Sequence, residues 1–181
     1  MNEQEEVEAG SSRIAAVPRI EYLHVRNFRV LNDLELKNLT PLTVFLGPNG
    51  SGKSTIFDVF AFLSECFSVG LRKAWDKRGR FKNLRSRNAQ GPIVFELKYT
   101  EPGFPIITYH LELNQDAKGP YVQKEWLCWT RKVGSLSRSF NLLSFEEGVG
   151  YALPGEKPSA TTTRVEERLA SRELLAINTL G

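Results

Sequence analysis

The chain has 181 residues, of which 41% are apolar and 25% are charged, with a net charge of +3. This balance is typical of a globular domain and excludes a disordered or collagen-like chain. No apolar stretch is long enough for a membrane span, and the acidic first 12 residues do not resemble a secretory signal. We therefore expect a cytoplasmic protein without a membrane partner. Two cysteines and two histidines, far apart in the sequence, argue against a disulfide framework or a zinc cluster.

The first predicted elements are strands that follow an acidic tail. Residues 1–17 are predicted to be a disordered acidic tail, which Pro18 closes. β-branched and aromatic residues predict a strand over 19–30, and alternating apolar and charged residues predict a half-buried strand over 31–39. The run at 42–46 is almost entirely apolar, which is typical of a strand buried on both faces of a sheet.

A glycine-rich loop at 47–52 leads into a predicted helix, and a series of strands follows it. Apolar residues spaced three and four apart predict the helix over 54–75. Further on, short strand-like runs alternate with short connections rich in turn formers, which predicts an antiparallel meander over 93–153. The predicted strands of this meander cover residues 93–100, 106–114, 121–132, 140–145 and 149–153.

The sequence therefore divides into one main domain with a tail and a linker. The main domain covers residues 18–153, and the run at 154–165 is predicted to be a linker because it is rich in Pro, Gly, Ser, Thr and charged residues. Residues 166–181 are predicted to begin a helical segment.

A phosphate-binding motif follows the third predicted strand: Gly47-Pro48-Asn49-Gly50-Ser51-Gly52-Lys53-Ser54, a G-x-x-x-x-G-K-S or Walker A loop. Glycines let successive backbone N–H groups converge on a phosphate, and the helix that follows directs its first N–H groups at the same anion. In such a loop Lys53 would reach the β- and γ-phosphates, Ser54 would ligate Mg²⁺, and Thr55 would bond the α-phosphate. Because a predicted buried strand and a predicted helix flank the loop, we predict nucleotide binding.

Two segments together resemble a known group of ATPases. The strand Leu23-His24-Val25-Arg26-Asn27-Phe28-Arg29, followed by a second strand and the loop at 47–55, resembles the N-terminal lobe of ABC-type ATPase heads. The resemblance is to the RecF, SMC and OLD-like AAA-family predicted ATPases of bacteria, and residues 79–87 and 174–181 are similar to one subgroup of them. It implies a mixed α/β fold, that of a P-loop NTPase with an ABC-type N-terminal lobe and an antiparallel β-subdomain.

The same resemblance implies ligands and partners. ATP and Mg²⁺ would be the cofactors, and Arg29 would contact the phosphates or the base of the nucleotide. From its position alone, Arg29 could instead end a strand, packing its stem and solvating its head. In the family architecture two heads sandwich ATP, so the partner would be a head-to-head homodimer or a C-terminal lobe, with a role on DNA in repair or defence by analogy.

Hydrolysis needs an acid on Mg²⁺ and a residue that activates water, and the family supplies them from a C-terminal Walker B strand and a signature motif. Neither motif occurs in the sequence, so no catalytic residue is assigned. The nearest imitation, at 142–147, is better explained as a strand leading into a charged turn. The Q-loop glutamine would be expected just after Gly181, and Gln90 qualifies only by residue type. We therefore expect a truncated head whose ATP hydrolysis requires the missing half.

Two other functions remain open from the sequence. A small P-loop nucleoside or metabolite kinase would fit the chain length, although kinases alternate strands and helices where this chain has a meander. A non-catalytic, nucleotide-dependent interaction module would be this chain acting as it stands. The run at 72–87, with eight bases and one acid, could bind nucleic acid, contact the nucleotide or simply be solvated.

Overall fold

The computed structural model describes residues 17–79, 81–133, 136–153 and 164–180. The described residues form an antiparallel sheet of eight strands in the order β2-β1-β3-β4-β5-β6-β7-β8, together with four helices. The strands are β1 (Arg19–Phe28), β2 (Leu31–Leu36), β3 (Ile93–Thr100), β4 (Ile106–Asp116), β5 (Gly119–Val133), β6 (Leu136–Glu146), β7 (Val149–Ala152) and β8 (Val165–Arg168). The helices are α1 (Lys53–Val69), α2 (Leu71–Lys77), α3 (Phe81–Leu84) and α4 (Ala176–Leu180).

The core lies between one face of the sheet and α1. Alternation along β1 places Leu23 and Val25 in the core, where both are fully buried, as expected for a strand with one solvated face. Aromatic rings then join the sheet to the helix, since Phe62 of α1 lies 5.6 Å from Phe28 and 5.8 Å from Phe95 between ring centroids. This packing fixes α1, and with it the loop that precedes the helix, against β1 and β3.

The antiparallel meander predicted from the sequence is confirmed. Each of β3 to β7 pairs with the next strand in chain order, and β3 has the bounds predicted for its strand-like run. The chain is therefore a mixed α/β protein whose sheet is antiparallel. No helix in the described part of the chain is long and apolar enough to cross a lipid bilayer.

The predicted helix over 54–75 is two helices rather than one. α1 ends at Val69, Gly70 adopts a positive φ of 93°, and α2 begins at Leu71. Glycine reaches this region of φ at little cost, so the chain turns there without strain. The turn lets Trp75 of α2 pack on Phe62 with 6.2 Å between ring centroids, a contact that one straight helix would not make.

The prediction of a strand at 42–46, which lies within the described residues, is wrong. This segment belongs to no strand, and no described strand pairs with it. Leu42, Val44 and Leu46 are 82%, 69% and 90% exposed. The sequence pattern is that of a doubly buried strand, but of this run only Phe45 is half-buried, and it packs on Phe57 of α1 with 5.9 Å between ring centroids.

The C-terminal prediction also needs correction. A helix was expected from residue 166, yet Val165–Arg168 forms the edge strand β8 beside β7, and a helix begins only at Ala176. Val165, the last residue of the predicted linker at 154–165, belongs to β8. Residues 154–163 of the linker and 1–16 of the predicted acidic tail lie outside the described residues.

Candidate nucleotide-binding site

The loop at 47–52 has an open side and a packed side. Gly50 has a φ of 82°, and a Cβ added there would meet no atom within 4 Å. Gly52 has a φ of 92°, and its Cβ would lie 3.2 Å from Leu31 Cδ2 and 3.4 Å from Val30 Cγ2. The loop therefore needs glycine at Gly52 for both backbone and packing reasons, whereas Gly50 leaves space that a ligand could occupy.

The loop ends at the N-terminus of α1, where backbone donors are available. The N–H groups of Thr55 and Ile56 donate to the Gly52 carbonyl at 2.9 and 3.1 Å. The N–H groups of Lys53 and Ser54 come before any intrahelical acceptor, and Gly52 has no side chain to cap them. Together with the positive end of the helix dipole, these donors favour an anion at this point.

Lys53 lies across the loop with its ammonium group turned into it. Its Nζ donates to the carbonyl oxygens of Gly47 and Pro48, both at 2.6 Å, and to Ser51 Oγ at 3.2 Å. An ammonium group has three N–H donors, so all three are engaged by the loop. The positive charge is thus held inside the loop, and a bound phosphate would have to replace part of this shell.

Ser54 and Thr55 occupy the first turn of α1. Ser54 is exposed and Thr55 is half-buried. The described residues contain no group of three or more His, Cys, Asp or Glu that could hold a metal ion. The donor set is one that suits Mg²⁺ only when phosphate oxygens and waters complete the coordination, as this ion commonly requires.

The turn that carries Arg29 lies beside the loop. Arg29 has a φ of 51°, and its backbone N–H donates to the Leu84 carbonyl at 2.6 Å. The next two residues, Val30 of this turn and Leu31 at the start of β2, are those that approach Gly52. The Arg29 guanidinium pairs with Asp58 of α1, 2.8 Å between Nε and Oδ2, and the side chain is 38% exposed.

Asn27 holds the same turn from the other side. It has a φ of 61°, and its Nδ2 donates to the carbonyls of Gln90 and Pro92 at 3.0 and 2.8 Å. Asparagine is among the few non-glycine residues that adopt this backbone conformation readily. Asn27 is therefore a structural residue, and Gln90 meets it through its backbone in the connection before β3.

Several bases of the run at 72–87 are paired within the chain. Hydrogen bonds from Arg78 and Lys77 lower the pKa of Glu65, and Arg78 is largely buried. The pairs involve three of the eight bases of the run, and Arg80 lies outside the described residues. The pairs are Arg72 with Glu173, Lys77 with Glu65, and Arg78 with both Asp58 and Glu65.

The acidic pair at the end of 142–147 lies far from the loop. Its strand, β6, is separated from β1 by three strands, which corresponds to roughly 19 Å at ordinary strand spacing. Glu146 pairs with Lys124 at 2.9 Å, and Glu147 lies in the turn with a φ of 49°. The geometry supports a strand leading into a charged turn.

Sequence reasoning missed Asp58. The residue lies one helical turn after Ser54 and joins two arginines that are distant in sequence, Arg29 and Arg78. The i, i+4 spacing from Ser54 places both side chains on the same face of α1, and that spacing was the available signal. Its partners could not be found from the helix alone.

The glycine-rich loop at the head of α1 lies beside the arginine-bearing turn, and the sequence of this region matches a known family. The family model described as AAA domain matches residues 22–131, more than half of the chain. The chain belongs to this AAA domain family, and the resemblance seen in the sequence is confirmed.

Two curated relatives agree with this family. The chain is 32% identical over 92 residues to an OLD nuclease of Thermus scotoductus, covering 51% of the chain and 17% of that protein. It is 33% identical over 162 residues to the chromosome partition protein Smc of a Synechocystis species, covering 84% of the chain and 12% of that protein. The chain thus spans less than a fifth of the length of either relative. No solved structure matches it significantly.

Proposed function

We propose that this chain binds ATP together with Mg²⁺ through residues 47–55, as the N-terminal lobe of a P-loop NTPase of the ABC type. The observation that carries the proposal is the loop itself. Lys53 is held inside the loop, and a side chain at Gly50 would meet open space. The first N–H groups of α1, where the loop ends, have no intrahelical acceptor. Each of these features favours a polyphosphate.

Each residue of the loop has a defined part in this proposal. The backbone N–H groups from Asn49 to Ser54 would surround the phosphates, with Gly47 and Pro48 shaping the turn. Lys53 would exchange carbonyl partners for phosphate oxygens, and Ser54 would hold Mg²⁺, which neutralises the charge of the phosphates when bound. Thr55 would bond the α-phosphate, and Arg29 would contact the nucleotide from the neighbouring turn.

Hydrolysis would require a second half that supplies a Walker B acid and a signature motif. The sequence contains neither, and the acidic pair at 146–147 lies on a distant strand. The exposed run at 42–46 supports the same proposal, because three large aliphatic side chains directly before the loop have no cover among the described residues. We expect this run to be a strand in the complete head.

The family alone supports three further parts of the proposal: a role on DNA in repair or defence, a head-to-head homodimer and a cytoplasmic location. The relatives are named as a nuclease and a chromosome partition protein. An antiparallel sheet is what an ABC-type N-terminal lobe would contribute, and it counts against a small kinase, in which strands and helices alternate. A nucleotide-dependent interaction module would share the binding step and differ only in lacking turnover.

The test is ATP binding by the purified chain, measured by calorimetry with Mg²⁺. Lys53→Ala should weaken binding by about tenfold or more, since a charged hydrogen bond is worth about 1.5–3 kcal/mol. Lys73→Ala is the matched control, because Lys73 is an exposed lysine on α2. Equal affinity in the Lys53→Ala variant would contradict the proposal.

Turnover separates the remaining alternatives. The chain alone should not hydrolyse ATP, and addition of a C-terminal half from a relative should restore hydrolysis. Lys53-dependent turnover by the chain alone would overturn the requirement for a second half.

A further inference from the structure

Asp58 lies at the centre of an ion-pair network beside the loop. Its two carboxylate oxygens face different arginines: Oδ1 accepts a hydrogen bond from Arg78 Nε at 3.1 Å, and Oδ2 lies 2.8 Å from Arg29 Nε. Ser54 precedes Asp58 by four residues on α1, so this carboxylate lies on the helix face that begins at the loop. The network therefore connects the helix after the loop to the turn beside it.

Arg78 anchors this network. Its side chain is only 8% exposed, and it pairs with Glu65 through Nη1 and donates to the Ala74 carbonyl at 3.2 Å. Its guanidinium carbon also lies 5.2 Å from the centre of the Phe62 ring in the core. An arginine held on so many sides has little freedom, so it fixes the position of the Asp58 carboxylate.

Arg29 is fixed at its backbone, and Asp58 pairs with the Nε edge of its guanidinium group. The turn is held by the hydrogen bond from Arg29 N to Leu84 O and packs against Gly52. The ion pair with Asp58 uses Nε, and the two terminal nitrogens form the end edge of the planar guanidinium group. A guanidinium held by one edge presents the other edge in a defined direction.

The charge balance of the network favours an anion. One carboxylate, that of Asp58, lies between Arg29 and Arg78, so its negative charge is compensated before a ligand arrives. The terminal nitrogens of Arg29 then add positive charge next to the loop without the repulsion that an uncompensated carboxylate would cause.

We infer that Asp58 is a positioning residue, which holds the Nε edge of Arg29 so that its terminal nitrogens face the anion bound at the loop. This inference rests on the proposed function, because it assumes that the loop at 47–55 binds a nucleotide. Asp58 then affects the affinity for ATP only by positioning Arg29.

A double-mutant cycle on Mg²⁺-ATP affinity tests this inference. Arg29→Ala is expected to weaken binding about tenfold and Asp58→Asn about threefold, the size of a partly exposed charged contact. The double variant should bind no more weakly than Arg29→Ala alone, since residues that act through one another are not additive. Asp58→Glu, which keeps the carboxylate, should bind more tightly than Asp58→Asn.

Two controls keep the outcomes apart. Asp58→Asn retains an oxygen that can accept from Arg78, and thermal unfolding checks that each variant is folded at the temperature of the binding measurement. Asp76→Asn removes an exposed acid of α2 and should leave the affinity unchanged.

Three results would overturn the inference while leaving the binding site in place: tighter ATP binding by Asp58→Asn, the same loss from Asp58→Asn in the Arg29→Ala background, or no loss in Arg29→Ala. If instead Lys53→Ala binds ATP as well as the unmodified chain does, the proposed function itself fails. The two failures are thus distinguished by which variant is unaffected.

Discussion

The meander and the loop end of the molecule differ in how completely their apolar residues are covered. In the meander, Leu111, Leu113 and Phe145 are buried between paired strands and the segments that pack on them. At the loop end, the run at 42–46 directly before the glycine-rich loop belongs to no strand among the described residues, and only its Phe45 is half-buried. One end is completed by the chain's own residues, and the other presents apolar surface for something further to cover.

Glu125 shows how the chain covers the meander end. This carboxylate is fully buried on β5 and accepts hydrogen bonds from the Ala176 and Ile177 N–H groups, at 2.6 and 3.1 Å, and from the Tyr109 hydroxyl at 3.0 Å. Burial raises the pKa of Glu125, although these hydrogen bonds partly oppose the change. The C-terminal segment is thereby tied to the sheet, whereas among the described residues the 42–46 run packs on the core only through Phe45.

The largest expected effect is at Glu125, which ties the C-terminal segment to the sheet. Glu125→Ala should lower the free energy of unfolding by about 2–4 kcal/mol, because it leaves buried donors without an acceptor. Urea denaturation measures the change. Glu166→Ala, an exposed glutamate of β8, is the control and should change stability by less than about 0.5 kcal/mol. Equal stability of the two variants would show that the C-terminal segment is held in another way.

The next effect separates the two sides of the loop. Gly52→Ala and Gly50→Ala both place a side chain at a positive φ, which costs about 1–2 kcal/mol. Only Gly52→Ala also forces a Cβ against Leu31 and Val30, so it should cost more in urea denaturation. A larger loss of stability in Gly50→Ala than in Gly52→Ala would contradict the assignment of the open side of the loop to Gly50.

A smaller effect concerns pH and the outer face of the meander. Burial disfavours the charged His110 ring, but hydrogen bonds to Glu96 and Glu112 outweigh burial and raise the pKa of His110. The folded state therefore binds the proton more tightly, and this stabilisation is present below about pH 6.5 and is lost as pH rises through the raised pKa.

The measurement is urea denaturation between about pH 6 and pH 8.5. Relative to His110→Gln, the unmodified chain should lose on the order of 1 kcal/mol or less across this range, the scale of a charged pair near a surface. The same pH slope in both proteins would exclude His110 as its source.

The smallest effect is expected at Val44, in the run at 42–46. Val44→Thr should change stability by less than about 0.5 kcal/mol, because the side chain is mostly exposed. Val25→Thr makes the same chemical change in the core and should cost about 1–3 kcal/mol, since it buries a hydroxyl. Similar losses in the two variants would show that the 42–46 run is covered in solution.

The sequence by itself determined what depends on neighbours along the chain. The glycines and lysine of the loop, the alternation in the run at 31–39, and the turn-rich connections of the meander are all local signals, and the strands follow them. The loop residues 47–55 and Arg29 were predicted as a nucleotide site from spacing and resemblance, and nucleotide binding there stays a prediction.

Only the tertiary structure decided what depends on partners distant in sequence. The break at Gly70 is used because α2 packs back on Phe62, and 165–168 is a strand because β7 offers a free edge for it. Arg29 meets Asp58 because β1 and α1 share one core. The 42–46 run has the apolar composition of a buried strand but remains largely exposed, since burial is a property of what lies opposite a side chain and not of the side chain alone.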